Sequence, residues 1–390
     1  MMIQGPRIPQ EEYSIRWNKV QELLIRYKLD ALIAYADDRA TYGPAYARYF
    51  ADFPVHFEPV LLLFTLNAEP KLLCGPETIG YAQEVSRIHD IRVLEEFAAE
   101  NEDYLFTTLN RLDAVIGESI HSPMKRLGLA GVHLMGADIF TIMLKVFQGV
   151  EIVRMENEMD NLRGIKTEAE LAVIRHCYEI AHLGMTAAID AVVPGVSERE
   201  IAAKAEFAMR SAGSEGTGID TIVASGSNTY HILARTTFRK VEKDDVVVIT
   251  VAPRYEGYHG AIARSVIVGN PGEKVIASIE AEVNAQLVCS ENLIAGKKGA
   301  DVERMGRSIM ADAGYGENFL YSGLHSVGVT EFEPPILGPS SDALIENGMV
   351  ISIDIPLFEA GIHGSRTEDG YIIKNGKAER LTRIERLIRK

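Results

Sequence analysis

The sequence predicts an α/β domain over residues 1–157 followed by an α+β domain over residues 158–390, and three observations carry that expectation. Helical and strand signals alternate through the first part. Two capping-box sequences then open long amphipathic helices. These two helices and a second helical pair are each followed by strand signals, which hints at an internal duplication in the second domain.

Within the first domain, residues 11–27 repeat apolar side chains at helical spacing, and residues 31–35 form a short apolar strand after Lys28-Leu29-Asp30. Residues 60–66 and 71–74 read as a hairpin about Asn67-Ala68-Glu69-Pro70, followed by a strand at 91–94 and a helix at 104–116. At Thr167 a threonine hydroxyl can accept from the third amide of a helix while Glu170 reaches back, and Leu171, Ile174, Tyr178, Ala181 and Met185 line one face. Pro194-Gly195 breaks that helix, and Ser197 with Glu200 caps the next. Strands are expected at 246–251 and 264–268 about a Tyr255-Glu256-Gly257 turn, helices at 274–294 and 301–313, and closing strands at 349–355 and 370–373.

The bulk numbers exclude several function classes. A net charge of −15 argues against nucleic acid, whose phosphates require a basic surface, and gives no attraction to anionic membranes. The 47% hydrophobic content fits a sizeable buried core, yet no apolar run approaches the length that spans a bilayer. Cys74, Cys177 and Cys289 are odd in number and far apart, which fits a reducing compartment better than a disulfide framework. The first ten residues lack a basic start and an apolar run, so no signal peptide is expected and the location is cytoplasmic.

Six motifs in order carry a resemblance to a known family. Leu162-Arg163-Gly164-Ile165-Lys166-Thr167 precedes a capped helix, and Pro194-Gly195-Val196-Ser197-Glu198 connects two helices. Ala224-Ser225-Gly226-Ser227-Asn228 enters a loop, and Glu242-Lys243-Asp244-Asp245 precedes a strand. His325-Ser326-Val327-Gly328 and Arg366-Thr367-Glu368-Asp369 complete the series. Together they resemble the creatinase/prolidase/aminopeptidase P superfamily, which implies a pita-bread fold for the second domain, a hydrolytic activity and a homodimer.

The resemblance also implies a site. Metallopeptidases of this family hold two divalent ions with two Asp, one His and two Glu, because hard ions favour carboxylates and a paired centre activates water. Here the aspartate positions fall at Thr250 and Ala261, the histidine is His325, the first Glu position is Asp354 and the second is Glu368. Two carboxylates in place of four imply that the dinuclear centre is absent. Creatinase is the precedent for losing both aspartates and working without metal, and residues 253–264 resemble it. The expectation is therefore no cofactor, with one divalent ion (Mn, Zn or Fe) on His325, Asp354 and Glu368 as the alternative.

Without metal, two carboxyls beside an imidazole suit general acid–base cleavage of a C–N bond. His231, in a loop expected to overhang the pocket, is a candidate proton shuttle beside His325, Asp354 and Glu368. His56, Glu333 and Arg366 are candidate substrate-binding residues, with Arg366 pairing either with a substrate carboxylate or, as favoured, with Asp369. The reading that follows is a C–N hydrolase acting on a small amino-acid-like molecule. Its alternatives are an Xaa-Pro peptidase with a single ion, taking a short peptide, and an inactive pita-bread binding protein.

Overall fold

In the computed structural model, which describes residues 5–120, 123–359 and 361–390, the chain divides into two compact units. One comprises residues 8–163, and the other runs from residue 164 to the C-terminus together with the segment ending at Arg7.

The first unit contains α1 (Gln10–Tyr27), β1 (Ala31–Ala36), α2 (Ala45–Ala51), β2 (Val60–Phe64), β3 (Lys71–Cys74), α3 (Ile79–Val85), β4 (Asp90–Leu94) and β5 (Leu109–Asn110). It continues through α4 (Leu112–Ser119), β6 (Arg126–Ala130), α5 (Ala137–Val146), β7 (Glu151–Arg154) and α6 (Glu156–Asn161). Its sheet has the order β5-β4-β3-β2-β1-β6-β7, antiparallel at β1–β2 and β2–β3 and parallel elsewhere. All six residues of β1 are buried, as an apolar strand at the centre of a covered sheet must be. The helix expected at 104–116 is not formed as such. Leu109 and Asn110 pair with β4, and α4 starts only at Leu112, whose N–H donates to the Glu96 carboxylate.

The second unit opens with α7 (Glu168–Ala191) and α8 (Glu198–Ser211), and both capping boxes close: Thr167 accepts from the Glu170 amide and Ser197 from the Glu200 amide. There follow β8 (Gly216–Thr217), β9 (Ile222–Ser225), β10 (Val246–Val251), β11 (Pro253–Tyr255), β12 (Tyr258–His259) and β13 (Ile262–Ile267). The chain ends with α9 (Glu273–Asn292), α10 (Gly299–Asp312), β14 (Leu324–Ser326), β15 (Glu333–Ile336), β16 (Val350–Glu359), β17 (His363–Lys374), β18 (Lys377–Arg380) and β19 (Ile388–Arg389). The main sheet runs β15-β14-β16-β17-β13-β10-β9, with β18 on β17 and β19 on β13. A core of Ala285 and Cys289 from α9, Leu293 at its C-cap, Val302 and Met310 from α10, and Ile351, Ile353 and Ile355 from β16 fixes the helix pair to the sheet. No helix among the described residues is long and apolar enough to cross a membrane.

β16 and β17 are long and buried almost throughout, and their register positions the site. Asp354 pairs with Glu368, Glu368 with Ala263, and Ala263 with Thr250, so one row crosses four strands. His325 pairs with Ser352 two residues along. Because directly paired and alternate residues share a face, His325, Ser352, Asp354, Glu368, Arg366 and Thr250 all belong to the same side.

Candidate metal centre

On that face His325, Glu331 and Glu368 converge: one ligand atom from each lies within 4.8 Å of the others. They are 2, 7 and 1% exposed, so none has water enough to offset its charge alone. Each is prepared by its surroundings. His325 Nδ1 is 3.0 Å from the Ser326 carbonyl, which makes Nδ1 the protonated nitrogen and leaves the Nε2 lone pair facing Glu368 Oε1 at 3.8 Å. The Ser352 hydroxyl donates to Glu368 Oε1 at 2.7 Å, and the Phe332 ring lies over the imidazole with 4.4 Å between centroids. Burial drives the Glu368 carboxyl well above the usual carboxylate range, with the charges of Asp354 and Glu331 adding to it. Burial raises Glu331 too, against the opposing pull of His325.

Asp354 is engaged differently. Its Oδ2 accepts from the Tyr321 hydroxyl at 2.8 Å, and its Oδ1 lies 3.6 Å from Arg366 Nε. The pairing expected between Arg366 and Asp369 does not form, because adjacent strand positions of opposite parity face opposite sides. Asp369 points to the α9 side, where it meets Arg264, Arg380 and Arg386 and accepts from Gln286 Nε2 at 2.8 Å. Arg366 instead lies against the neighbouring rings of Tyr321 and Phe358, with Nη2 donating to the Ile232 carbonyl.

His231 is exposed and lines a cavity of about 10 Å³ together with Thr229, Thr250, Ile232, Phe358 and Arg366. That is room for about one water and no more. Thr250 Oγ1 and Arg366 Nε, which line it, and Asp354 Oδ1 beside Arg366 are buried without a hydrogen bond among the described residues. Glu333 faces away from this group: its carboxylate is 2.8 Å from Lys166 Nζ in a pair whose side chains are each 1% exposed. His56 belongs to the other unit, where its exposed ring meets Asp38 at 3.0 Å. Glu331 lies with Glu333 in the segment after His325 that carries part of the resemblance, where Glu333 alone is the expected site residue. The one signal for Glu331 was an acidic side chain in the short segment between His325 and Glu333.

The donor set decides whether a metal fits. An imidazole nitrogen and two carboxylates suit a borderline divalent ion, and two bonds of about 2.1 Å span the 3.8 Å between Nε2 and Oε1. Among the described residues no other cluster of three such groups brings its ligand atoms together. The residues present therefore fit one ion, and Thr250 and Ala261, where the resemblance puts the family's aspartates, offer no carboxylate.

Metallopeptidase family M24 matches residues 172–375. The Xaa-Pro dipeptidase of Pyrococcus horikoshii is 34% identical over 236 residues, covering 60% of this chain and 67% of that protein. The Xaa-Pro dipeptidase of Pyrococcus furiosus is 33% identical over 236 residues, 60% of this chain and 68% of its own length. The crystal structure of the prolidase from Pyrococcus horikoshii superposes with a TM-score of 0.83 at 26% identity, over 95% of this chain and 99% of that one. The expectation of no cofactor is corrected by these findings. The matching family is one of metallopeptidases, and the buried His325–Glu331–Glu368 cluster offers a ligand set that a metal-free acid–base site would not need. The chain belongs to metallopeptidase family M24 and is a pita-bread hydrolase of the peptidase kind.

Proposed function

We propose that the protein hydrolyses short peptides of the Xaa-Pro type with one divalent ion held at His325 and Glu368. The observation that carries the reading is the buried ligand cluster on the sheet face. The names of the two Pyrococcus relatives support the substrate class. An ion bound there supplies Lewis-acid polarisation of a carbonyl and acidifies water.

The residues around it have separable roles in this reading. His325 is fixed as a nitrogen donor by the Ser326 carbonyl, and Ser352 orients the Glu368 carboxylate. Arg366, held against Asp354, keeps a fixed positive charge beside the acids on this sheet face and stabilises negative charge that develops near them. His231 carries a proton to the leaving nitrogen. Asp354 serves as the anionic partner of Arg366. Three free, buried cysteines support a reducing, cytoplasmic setting, and the homodimer implied by the resemblance is checked by light scattering.

The test is release of free proline from a series of Xaa-Pro dipeptides by the full chain loaded with Mn²⁺, Zn²⁺ or Fe²⁺, beside Ala-Ala and creatine as controls. Turnover of Xaa-Pro that chelator abolishes, that added ion restores and that His325→Ala removes is the expected result. Absence of proline release with all three ions sinks the reading, as does activity indifferent to chelator.

A further inference from the structure

We propose that Glu331 is a metal ligand recruited by this chain, so that one ion is held by His325, Glu331 and Glu368 while Asp354 stands outside the set. The inference rests on the single-ion reading above and names its ligands.

Three observations carry it. The first is convergence: a Glu331 carboxylate oxygen falls within 4.8 Å of ligand atoms of both His325 and Glu368, in a buried setting where an anion needs a cation. The second is the commitment of the alternative. Asp354 spends Oδ2 on Tyr321, and its Oδ1, without a hydrogen bond, lies in ion-pair range of Arg366 at 3.6 Å. Formal charge agrees. Arg366 answers Asp354, leaving the two negative charges of Glu331 and Glu368 for one dication.

The third is how Glu331 reaches the site. The β14–β15 register slips between His325 and Ser326, since His325 pairs with Ile336 but Ser326 with Glu333. The intervening turn is tied on several sides: Val327 N–H donates to Val350 O, His259 N–H to Gly328 O, and Gly328 N–H to Thr330 O. Lys166 fixes the Glu333 carboxylate 2.8 Å away, and Phe332 stacks on the His325 ring. With Phe332 and Glu333 pinned, the carboxylate of Glu331 is delivered beside His325. Among the described residues the same sheet face offers a second ion no such cluster. Ala263 and then Thr250 follow Glu368 along the row, and neither brings a carboxylate. A set of one imidazole and two carboxylates favours Mn²⁺, Fe²⁺ or Zn²⁺ over Mg²⁺ or Ca²⁺.

The experiment uses the full chain stripped with chelator, then titrated with Mn²⁺ by electron paramagnetic resonance and with Zn²⁺ by elemental analysis after gel filtration. Wild type is expected to saturate at one ion per chain. Glu331→Gln raises the Kd at least tenfold, Glu331→Asp falls between the two, and Asp354→Asn stays within about threefold of wild type. Matching circular dichroism of the stripped proteins separates lost ligation from lost fold, and the aspartate variant keeps the comparison if the glutamine variant does not fold. Mn²⁺ binding by Glu331→Gln equal to wild type overturns the inference, as does loss of the ion in Asp354→Asn alone or a second ion at saturation. The functional reading fails separately, when loaded wild type releases no proline whatever its ligands are.

Discussion

Glu282 is a buried carboxyl outside the metal cluster whose pH linkage can be measured directly. It sits on α9 at 0% exposure, hydrogen-bonded by the Ser365 hydroxyl of β17, and burial pushes its pKa up to about 8. The unfolded chain ionises this group near the ordinary glutamate value of about 4.3. Between those two pH values the native state therefore binds more protons than the unfolded state, and stability falls as pH rises. The contribution is fully present below the unfolded value and is lost by pH 8. At about 1.4 kcal/mol per unit, the loss reaches roughly 3–4 kcal/mol by pH 7 and on the order of 5 kcal/mol above pH 8.

Glu282→Gln keeps the shape and removes the titration. Its stability should match wild type near pH 4.5 and exceed it increasingly up to pH 8.5. The assay is chemical denaturation of both proteins in stripped form at closely spaced pH values. His363, held neutral by burial with its pKa lowered to about 4, produces the opposite slope between pH 4 and 6.5. Taking the difference between variant and parent cancels it. A variant no more stable than wild type at pH 8.5, or a difference that shrinks as pH rises, refutes the reasoning.

Three further outcomes are expected. Asp369→Asn should cost about 3–5 kcal/mol in chemical denaturation, because Arg264, at 0% exposure, loses its buried counter-charge and Arg380 and Arg386 lose theirs in part. Ser352→Ala removes the hydroxyl that orients Glu368 and should weaken Mn²⁺ binding about tenfold by titration, with little change in the melting temperature of the stripped protein. Gly370→Ala places a methyl group against the Tyr178 hydroxyl and should destabilise by about 1–3 kcal/mol, with Tyr178→Phe in the same chain recovering part of the loss.

How much of this was legible depends on the range of the interaction that decides each feature. The two capping boxes could be read directly because a hydroxyl, an amide and a glutamate three residues on are all local. The helix expected at 104–116 failed for a complementary reason: helical spacing cannot reveal that Leu109 and Asn110 pair with a strand some fifteen residues earlier. His325 and Glu368 stood out through motifs of a few residues, and the structure does bring them together. Glu331 did not stand out. Its place follows from a register slip between two strands and from a lysine at 166, neither of which is visible near position 331. For Asp354 the sequence offered a carboxylate at a ligand position, while its engagement depends on Tyr321 and Arg366 across the fold.

The two sides of β17 show why one short motif supports both stability and chemistry. Glu368 and Asp369 are neighbours in sequence, yet strand alternation sends them to opposite faces with opposite electrostatic solutions. Asp369 is surrounded by arginines that hold its carboxyl below the usual range, so it stays charged and cross-links α9, β13 and the C-terminal segment. Glu368 meets two other acids and one guanidinium, and the same burial drives its carboxyl upward. A carboxylate satisfied by the protein's own cations has no capacity left for a ligand. One facing other carboxylates retains it, and a dication is the species that relieves all of them at once. Alternation along one strand thus separates an acid matched by the protein's own arginines from one that faces other acids, and the proposed single-ion reading rests on the second of these.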